Sequence, residues 1–297
     1  MIRIRAVAAV LSVAGLGGLL GVPAATASTT AKPEVPTLVA IRAAHHPGYD
    51  RLVFQFSGGL PGQRSVGYVS KVIGESGKQV RVVGSATLLV RFFAASGHDS
   101  SGHVTYGTRH RTYALPGLIQ VATAGDFESV LRFAVGVASK ETVHMFTLTS
   151  PSRVVVDLKT PHKTVVVHDF LLNLNNFKSG HQPYLRAVDR PVIVPALAFG
   201  ALQRLFAGAT DPERALGLRF VASKATGFAN LSISDGVARV RLTGGCGSGG
   251  STFTIANEIM PTLRQFSSVR WVKIYDPAGH TERPAGHTDS IPVCLEP

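Results

Sequence analysis

The sequence predicts an antiparallel β-sandwich followed by a smaller α+β domain. From Thr37 to Lys159, short segments that alternate apolar and polar residues are separated by turn residues, which is typical of a sandwich. Beyond this region, apolar residues recur at helical spacing in segments that alternate with strand-like ones. The 31 Gly and 17 Pro residues favour many short elements over long helices. We therefore expect two domains, at 37–160 and 183–297, joined by a linker at 161–182.

The first domain contains about eight or nine strand-like segments. In the clearest one, Leu52, Phe54 and Phe56 alternate with other residues, which puts one face on a core and the other in solvent. The predicted strands lie at 37–43, 51–57, 64–73, 79–85, 87–95, 118–124, 130–138, 143–149 and 152–159.

The C-terminal region combines helices with a β-hairpin. Asp235 and Gly236 predict a type I′ turn between the two strands of the hairpin. Thr210 and Pro212 open a short helix, because a threonine caps free amides and a proline fits the first turn. The predicted elements are, in order, a helix at 192–208, a helix at 210–218, a hairpin at 228–242, a helix at 251–266 kinked at Pro261, and a strand at 269–276.

The N-terminus has the three parts of a secretory signal peptide over residues 1–27. A basic start precedes an apolar stretch at 6–22 and a small-residue site that ends at Ala27. A membrane anchor is the alternative, but the apolar stretch is short and interrupted by glycines. We predict cleavage after Ala27, which leaves a secreted protein that begins at Ser28 with a flexible segment at 28–36. Contact with a membrane is then expected only through the uncleaved signal peptide.

The chain is strongly basic. Its 30 Lys and Arg against 18 Asp and Glu give a net charge of +12, which falls to +10 once Arg3 and Arg5 are removed. Export makes nucleic acid an unsuitable partner, so this charge points to an anionic cell-wall glycan or glycopolymer, with a generic basic surface as the alternative. Residues 28–165 carry +7 and residues 166–297 carry +3, so the sandwich is the expected binding domain.

Cys246 and Cys294 are the two cysteines of the chain. In an exported protein they lie in an oxidising compartment, where we expect them to form a disulfide. No basic group flanks either cysteine closely enough to suggest an activated thiolate, so a structural role is favoured over a reactive one.

Two stretches resemble known protein families. Residues 38–159 resemble the AMIN-like domain of secreted bacterial envelope proteins, through YDRLVFQF from Tyr49, GLPG from Gly59, and SRVVVDL from Ser152. Residues 183–293 look like a GerMN domain of sporulation and germination proteins, through the helix ALQRL, the hairpin DGVARV and the later segment LRQF.

The resemblance implies an extracytoplasmic protein of the bacterial cell envelope. AMIN-type domains are cell-wall targeting sandwiches and GerMN domains are binding or scaffolding modules, so the resemblance implies no catalytic residues. The chain departs from the GerMN pattern in its cysteine pair and in a glycine-rich loop after the hairpin. These departures leave the ligand of the second domain open.

Residues 245–250 match the G-x-G-x-x-G pattern of a dinucleotide-binding turn. In the preceding strand Arg239 and Arg241 alternate with apolar residues, whereas a central parallel strand is almost continuously apolar. This strand is also the second arm of a hairpin, so we expect an antiparallel neighbour and interpret the glycines as a crowded turn beside Cys246. A weaker anion site is expected at the start of the next helix. The residues of that anion site are Gly250, Ser251 and Thr252.

The sequence indicates no cofactor, no metal site and no enzyme. His98, His103 and His110 lie in or beside one polar loop and approach each other only if that loop folds back. The chain has no G-x-S-x-G motif and no distinctive pair of carboxylates. Two alternatives remain open: a secreted cell-wall hydrolase with an unrecognised site, and a protein–protein scaffold of the envelope.

The candidate ligand-binding residues combine flat rings with guanidinium groups. Arg109 and Arg111 occupy alternate positions, and on a strand both would face solvent. The full set is Tyr68, Tyr106, Arg109, Arg111 and Tyr113. The alternative is that Tyr113 and Trp271 face the core. We predict a non-enzymatic envelope protein whose sandwich binds peptidoglycan or an anionic wall glycopolymer, while the second domain contacts a glycan or an envelope protein.

Overall fold

The structure, a computed structural model, describes residues 35–161 and 163–297. The predicted signal peptide at 1–27 and most of the segment at 28–36 lie outside these residues. Val35–Pro297 form one compact unit. Within it the chain folds, as predicted, into an N-terminal β-sandwich and a C-terminal α+β region. No helix among the described residues is long and apolar enough to cross a membrane.

The sandwich consists of two antiparallel sheets. Its strands are β1 Thr37–His46, β2 Tyr49–Ser57, β3 Gln63–Val69, β4 Val72–Ile73, β5 Gln79–Val80, β6 Ala86–Phe93, β7 His110–Thr112, β8 Leu118–Phe127, β9 Val130–Val137, β10 Val143–Thr149 and β11 Ser152–Lys159. One sheet has the order β1-β2-β11-β10 and the other has the order β3-β6-β9-β8-β7, while β4 pairs with β5. The predicted alternation is confirmed, because Leu52, Phe54 and Phe56 are buried in a core shared by both sheets. There the rings of Phe54 and Phe92 lie 4.9 Å apart, one from each sheet.

The α+β region is built from two three-stranded sheets and the helices that pack on them. Its elements are β12 Thr164–Asn173, α1 Leu174–Ser179, β13 Leu185–Ile193, α2 Leu197–Ala207, α3 Asp211–Ala215, β14 Leu218–Arg219, β15 Gly227–Ser234, β16 Val237–Thr243, α4 Ile255–Arg264, β17 Trp271–Tyr275 and the 3₁₀ turn Val293–Leu295. The sheets have the orders β13-β12-β14 and β15-β16-β17. Helices α2 and α4 pack against both sheets around a second hydrophobic core.

Local sequence signals placed several of these elements correctly. Asp235 and Gly236 have φ angles of 50° and 76°, and a type I′ turn needs both to be positive. Thr210 and Glu213 form a capping box at the start of α3, in which the Thr210 amide donates to the Glu213 carboxylate at 2.8 Å. The hairpin and the short helix after α2 are therefore confirmed.

The predicted linker at 161–182 is wrong for most of its length. Strand β12 occupies the middle of its sheet, between β13 and β14, and helix α1 follows it directly. The stretch looked like a linker because it contains polar residues such as Asp169, but this carboxylate is buried beside Arg190. Strand β12 can therefore lie inside the fold although it contains polar residues, because its buried carboxylate is paired with an arginine from another strand.

Helix α4 begins at Ile255, later than predicted. Thr254 is its N-cap, and the Asn257 side chain accepts a hydrogen bond from the Thr254 amide at 2.8 Å. The helix continues through Pro261 and connects β16 to β17, which pair in parallel. The expectation that β16 has an antiparallel neighbour therefore holds only on its β15 side.

Helix α2 joins the two regions through buried polar contacts. Thr112 and Gln120 of the sandwich both donate to the Ala207 carbonyl, at 2.5 and 2.8 Å. Arg204 of α2, only 1% exposed, donates to the carbonyl groups of the sandwich loop 115–116, at 2.9 and 2.6 Å. These bonds satisfy groups that would otherwise be buried without partners, so the two regions share an ordered junction.

Cys246 and Cys294 form the predicted disulfide, which ties the loop after β16 to the C-terminal 3₁₀ turn. The bond closes a loop with a sequence separation of 48 residues. No free cysteine remains in the described part of the chain.

Replacing both cysteines by serine is expected to lower the free energy of unfolding by about 2–4 kcal/mol, because the unfolded chain gains the freedom of an open loop. Urea denaturation of the oxidised protein and the double variant would measure this difference. Equal stabilities, or free thiols in the exported protein, would contradict a stabilising disulfide.

Candidate functional site

The five predicted ligand-binding residues do not form one surface. Tyr106 and Arg111 contact each other, but both are buried, with 4% and 8% exposure. The Arg111 guanidinium donates to the Tyr106 carbonyl, and the Tyr106 hydroxyl lies 2.7 Å from Thr123 Oγ1. The expectation that Arg111 faces solvent is wrong, because β7 pairs it with Val121 of the sandwich core.

The other three predicted residues lie apart from this pair. Tyr113 donates its hydroxyl to the Ile41 carbonyl at 3.1 Å, and burial raises its pKa to about 12. Tyr68 is half-buried, and its hydroxyl bonds to the backbone N–H and C=O of Glu141 at 2.7 and 2.8 Å. Arg109 is exposed. The tyrosines therefore act mainly as structural residues of the sandwich, in agreement with the alternative stated for Tyr113.

The predicted anion site at Gly250, Ser251 and Thr252 precedes the helix instead of opening it. The Gly250 amide donates to Ser248 Oγ at 3.2 Å, and Ser251 exchanges hydrogen bonds with the backbone of Phe253. The Ile255 amide, which does begin α4, donates to Ser223 Oγ at 2.9 Å. Because side chains of the protein already satisfy these amides, the loop leaves few donors for an anion.

Close packing explains Gly245 and Gly247, whereas Gly249 and Gly250 have positive φ angles of 64° and 79°. A Cβ atom on Gly245 would lie 2.6 Å from the Lys224 carbonyl oxygen, so only glycine fits there. Cys246 is held by its disulfide in the same loop. The βαβ connection from β16 to β17 thus has the outline of a dinucleotide fold, but its loop packs tightly on Lys224.

Two of the three histidines predicted in or beside the polar loop each lie next to one acid. His98 Nδ1 lies 2.7 Å from Asp126 Oδ2, and His103 lies 3.7 Å from Asp99. His110 stands elsewhere, at the start of β7, and burial lowers its pKa. Among the described residues no group of three or more His, Cys, Asp or Glu is placed to hold a metal ion.

A basic and aromatic surface lies on the outer face of the β1-β2-β11-β10 sheet. In β2, alternate residues from Tyr49 to Gln55 point away from the core, and the strand register aligns them with residues of β1, β10 and β11. We call this surface the Arg51 face. Its polar and aromatic members are Arg42, His46, Tyr49, Arg51, Gln55, His144, Phe146, Arg153, Asp157 and Lys159.

Arg51 is the centre of this face and is held from three sides. Its guanidinium carbon lies 5.0 Å from the centre of the Tyr49 ring and 5.3 Å from that of Phe146. Its Nε and Nη2 atoms donate to the two carboxylate oxygens of Asp157, each at 2.7 Å. The hydrogen bond to Asp157 raises the pKa of Arg51. A bidentate pair flanked by rings fixes a flat, charged platform across three strands.

The Arg51 face carries an excess of positive charge. Its four cations are Arg42, Arg51, Arg153 and Lys159, and its one carboxylate, Asp157, is engaged by Arg51. The His46 ring stacks on Tyr49 at 4.9 Å, which extends the flat surface toward the end of β1. Such a face can stack on sugar rings and bind anionic groups.

The sequence contained part of the signal for this face. The alternation in β2 marked Arg51 and Gln55 as facing solvent. The partners of Arg51 come from 106 residues away at Asp157 and from β10 at Phe146, and only the strand register brings them together. Sequence reasoning instead favoured Arg109 and Arg111 because they are neighbours in the chain.

Comparison with known proteins finds a family match for the first region and one similar solved structure. Residues 36–160 match the family model of the AMIN-like domain, so the chain carries an AMIN-like domain. Among solved structures, the chain is similar to the tandem GerMN domains of the sporulation protein GerM from Bacillus subtilis, at 24% identity and a TM-score of 0.28. That match covers 43% of this chain and 44% of the other, so it spans less than half of either. A search of curated proteins finds no match.

The class of protein follows from the first of these matches. AMIN-like domains occur in extracytoplasmic proteins of the cell envelope and generally act as non-catalytic binding modules. Together with the sandwich architecture, this match indicates an envelope-associated binding or scaffold protein.

Proposed function

We propose that this protein is a secreted, non-enzymatic protein of the cell envelope whose sandwich binds peptidoglycan or an anionic wall glycopolymer through the Arg51 face. The observation that carries the proposal is the platform around Arg51, in which two rings and a bidentate carboxylate hold a guanidinium flat on an exposed sheet. The α+β region then serves as a second contact, with a glycan or with an envelope protein.

Charge and shape both support a polymer ligand for this face. A sheet surface is open at both ends, so a long chain can lie across several strands without entering a closed pocket. The cations at Arg42, Arg153 and Lys159 surround the central platform and meet no second carboxylate among the members of the face. Binding driven by such charges weakens as salt rises, because counter-ions screen exposed charges.

Replacing Arg42, Arg153 and Lys159 by alanine should weaken wall binding by ~5- to 50-fold at low salt, because it removes three surface charge contacts of less than about 1 kcal/mol each. The variant keeps Arg51, Asp157 and the core intact, so the fold should be preserved. Co-sedimentation of the full chain with purified insoluble cell wall, across a salt series, measures the pelleted fraction.

The matched control removes the same charge elsewhere, through Arg64→Ala, Lys78→Ala and Arg91→Ala. These side chains are exposed and lie outside the Arg51 face. The control should pellet like the unchanged protein. Equal pelleting of the Arg51-face variant at low salt would remove this face from the proposal, and salt-insensitive association with another protein would favour a scaffold.

A further inference from the structure

A cleft lies where the sandwich meets the α+β region. It has a volume of about 650 Å³ and is lined by residues from 70–72 and 79–84 of the sandwich, by helix α2 and by the start of β15. This volume is in the range of sites that hold small molecules, roughly 300–1,000 Å³. A second cavity of about 450 Å³, which includes Tyr68, shares Thr87 and other lining residues with the first. The two cavities therefore adjoin each other on the sandwich side of the cleft.

The lining of the cleft carries cations and no carboxylate. Lys71 and Arg81 are both exposed there. Lys71 makes no hydrogen bond or ion pair with any described residue, and Arg81 makes one hydrogen bond, to Thr226 Oγ1 at 3.3 Å. An anionic group in the cleft would therefore be attracted by two cations without displacing an existing ion pair.

Helix α2 adds a supported aromatic ring to the cleft. Phe199 is 40% exposed, and its ring meets the Phe228 ring edge-to-face at 5.2 Å. Phe228 in turn lies 5.4 Å from Phe206, which is buried. One turn further along α2, Gln203 lines the same cleft and is held by a 2.9 Å bond to Ser85 Oγ. The cleft thus combines an apolar ring and an amide with two cations in one lining.

We propose that this cleft binds an acidic saccharide, a short sugar chain that carries phosphate or carboxylate groups, as a site separate from the Arg51 face. The sugar ring packs on Phe199, and Lys71 and Arg81 hold the anionic group. The requirement for an anion comes from the lining of the cleft, whereas the choice of a saccharide rests on the proposed function. Because the cleft is formed by both regions, binding there requires their junction to be intact.

Isothermal titration calorimetry on the full chain tests the proposal with three probes. These are a tetramer of galacturonic acid, a phosphorylated maltotetraose, and neutral maltotetraose. We expect at least one anionic probe to bind and the neutral one to bind at least tenfold more weakly. The anionic probe that binds identifies carboxylate or phosphate as the preferred group.

Variants then assign binding to the cleft. Lys71→Ala with Arg81→Ala should weaken the affinity by ~5- to 30-fold, and Phe199→Ala by ~2- to 10-fold. The matched controls are Lys78→Ala with Arg91→Ala, which removes two exposed charges, and Phe127→Ala, which removes an exposed ring outside the cleft. Both controls should bind like the unchanged protein.

The proposal is overturned if no anionic probe binds, if maltotetraose binds equally well, or if the double variant at Lys71 and Arg81 keeps full affinity. A failure of the cleft proposal can be told apart from a failure of the proposed function. The variant that distinguishes them replaces Arg42, Arg153 and Lys159 on the Arg51 face. If that variant binds the oligosaccharide normally but no longer pellets with cell wall, both sites are supported. If it pellets normally while the cleft variants lose oligosaccharide binding, the Arg51 face fails and the cleft stands.

Discussion

Replacing Arg204 by methionine should lower the free energy of unfolding by about 3–5 kcal/mol, because it removes a buried charge that other groups depend on. Arg204 donates to the Gly200 carbonyl in its own helix and to the carbonyls of the sandwich loop 115–116. Its charge also lies near the buried carboxylates of Asp50 and Asp169, which it stabilises. Burial lowers the pKa of Arg204 to about 10, so the guanidinium is still charged at neutral pH.

Urea denaturation of the full chain measures this loss. Arg264→Met is a matched control, since Arg264 is also at the C-terminal end of a helix but is 42% exposed in a surface ion pair with Asp289. The control should cost less than about 1 kcal/mol. An Arg204→Met protein as stable as the Arg264→Met protein would show that the junction does not depend on this arginine.

The stability of the protein should fall between about pH 4.5 and pH 8 because of Glu258. This carboxyl of α4 is fully buried, and burial raises its pKa to about 8. In that range the unfolded chain has released the proton while the folded protein still holds it, so rising pH favours unfolding. The difference between an ordinary pKa near 4.5 and about 8 corresponds to roughly 5 kcal/mol. Asp169, whose pKa burial raises to about 7, acts in the same direction.

Glu258→Gln isolates the effect, because glutamine cannot titrate. The unfolding free energy of the variant should decline less between pH 5 and pH 8 than that of the unchanged protein, by a few kcal/mol. Glu258 has two oxygens that accept hydrogen bonds from the amides of Leu172 and Val221, and glutamine keeps only one of them. The absolute stability of the variant will therefore change as well, so the measurement to compare is the slope of the unfolding free energy with pH. Glu128→Gln, at an exposed site, should leave the slope unchanged. Parallel pH profiles for the Glu258 variant and the unchanged protein would contradict a protonated Glu258.

The burial of Asp169 and Arg111 explains two errors in the predictions made from the sequence. Asp169 gave β12 the composition of a linker, yet Arg190 lies 3.2 Å from it and donates to Glu213 at 2.6 and 2.8 Å. The residue pattern within one segment cannot predict ion pairs between residues that are 21 or more positions apart. Arg111 was misplaced for a related reason: alternation assigns it a face, but only the register with Val121 decides that this face is the core.

The sequence by itself determined the features that depend on neighbouring residues and on composition. These are the alternation that builds the sandwich, the Asp235-Gly236 turn, the start of α3 at Thr210, and the disulfide between the two cysteines. Each follows from backbone preferences or from short-range hydrogen bonds, which a local pattern records directly.

Only the tertiary structure decided which polar residues are buried and which surfaces are available for binding. The Arg51 face needs strands from opposite ends of the first domain, and the junction cleft needs a helix from the second region to pack beside the sandwich. Such sites depend on strand order, register and helix packing, and these are set by the burial of the whole core. The same burial keeps Arg204 and Glu258 inside the protein. There the charge state of each side chain affects the free energy of unfolding far more than it would at the surface.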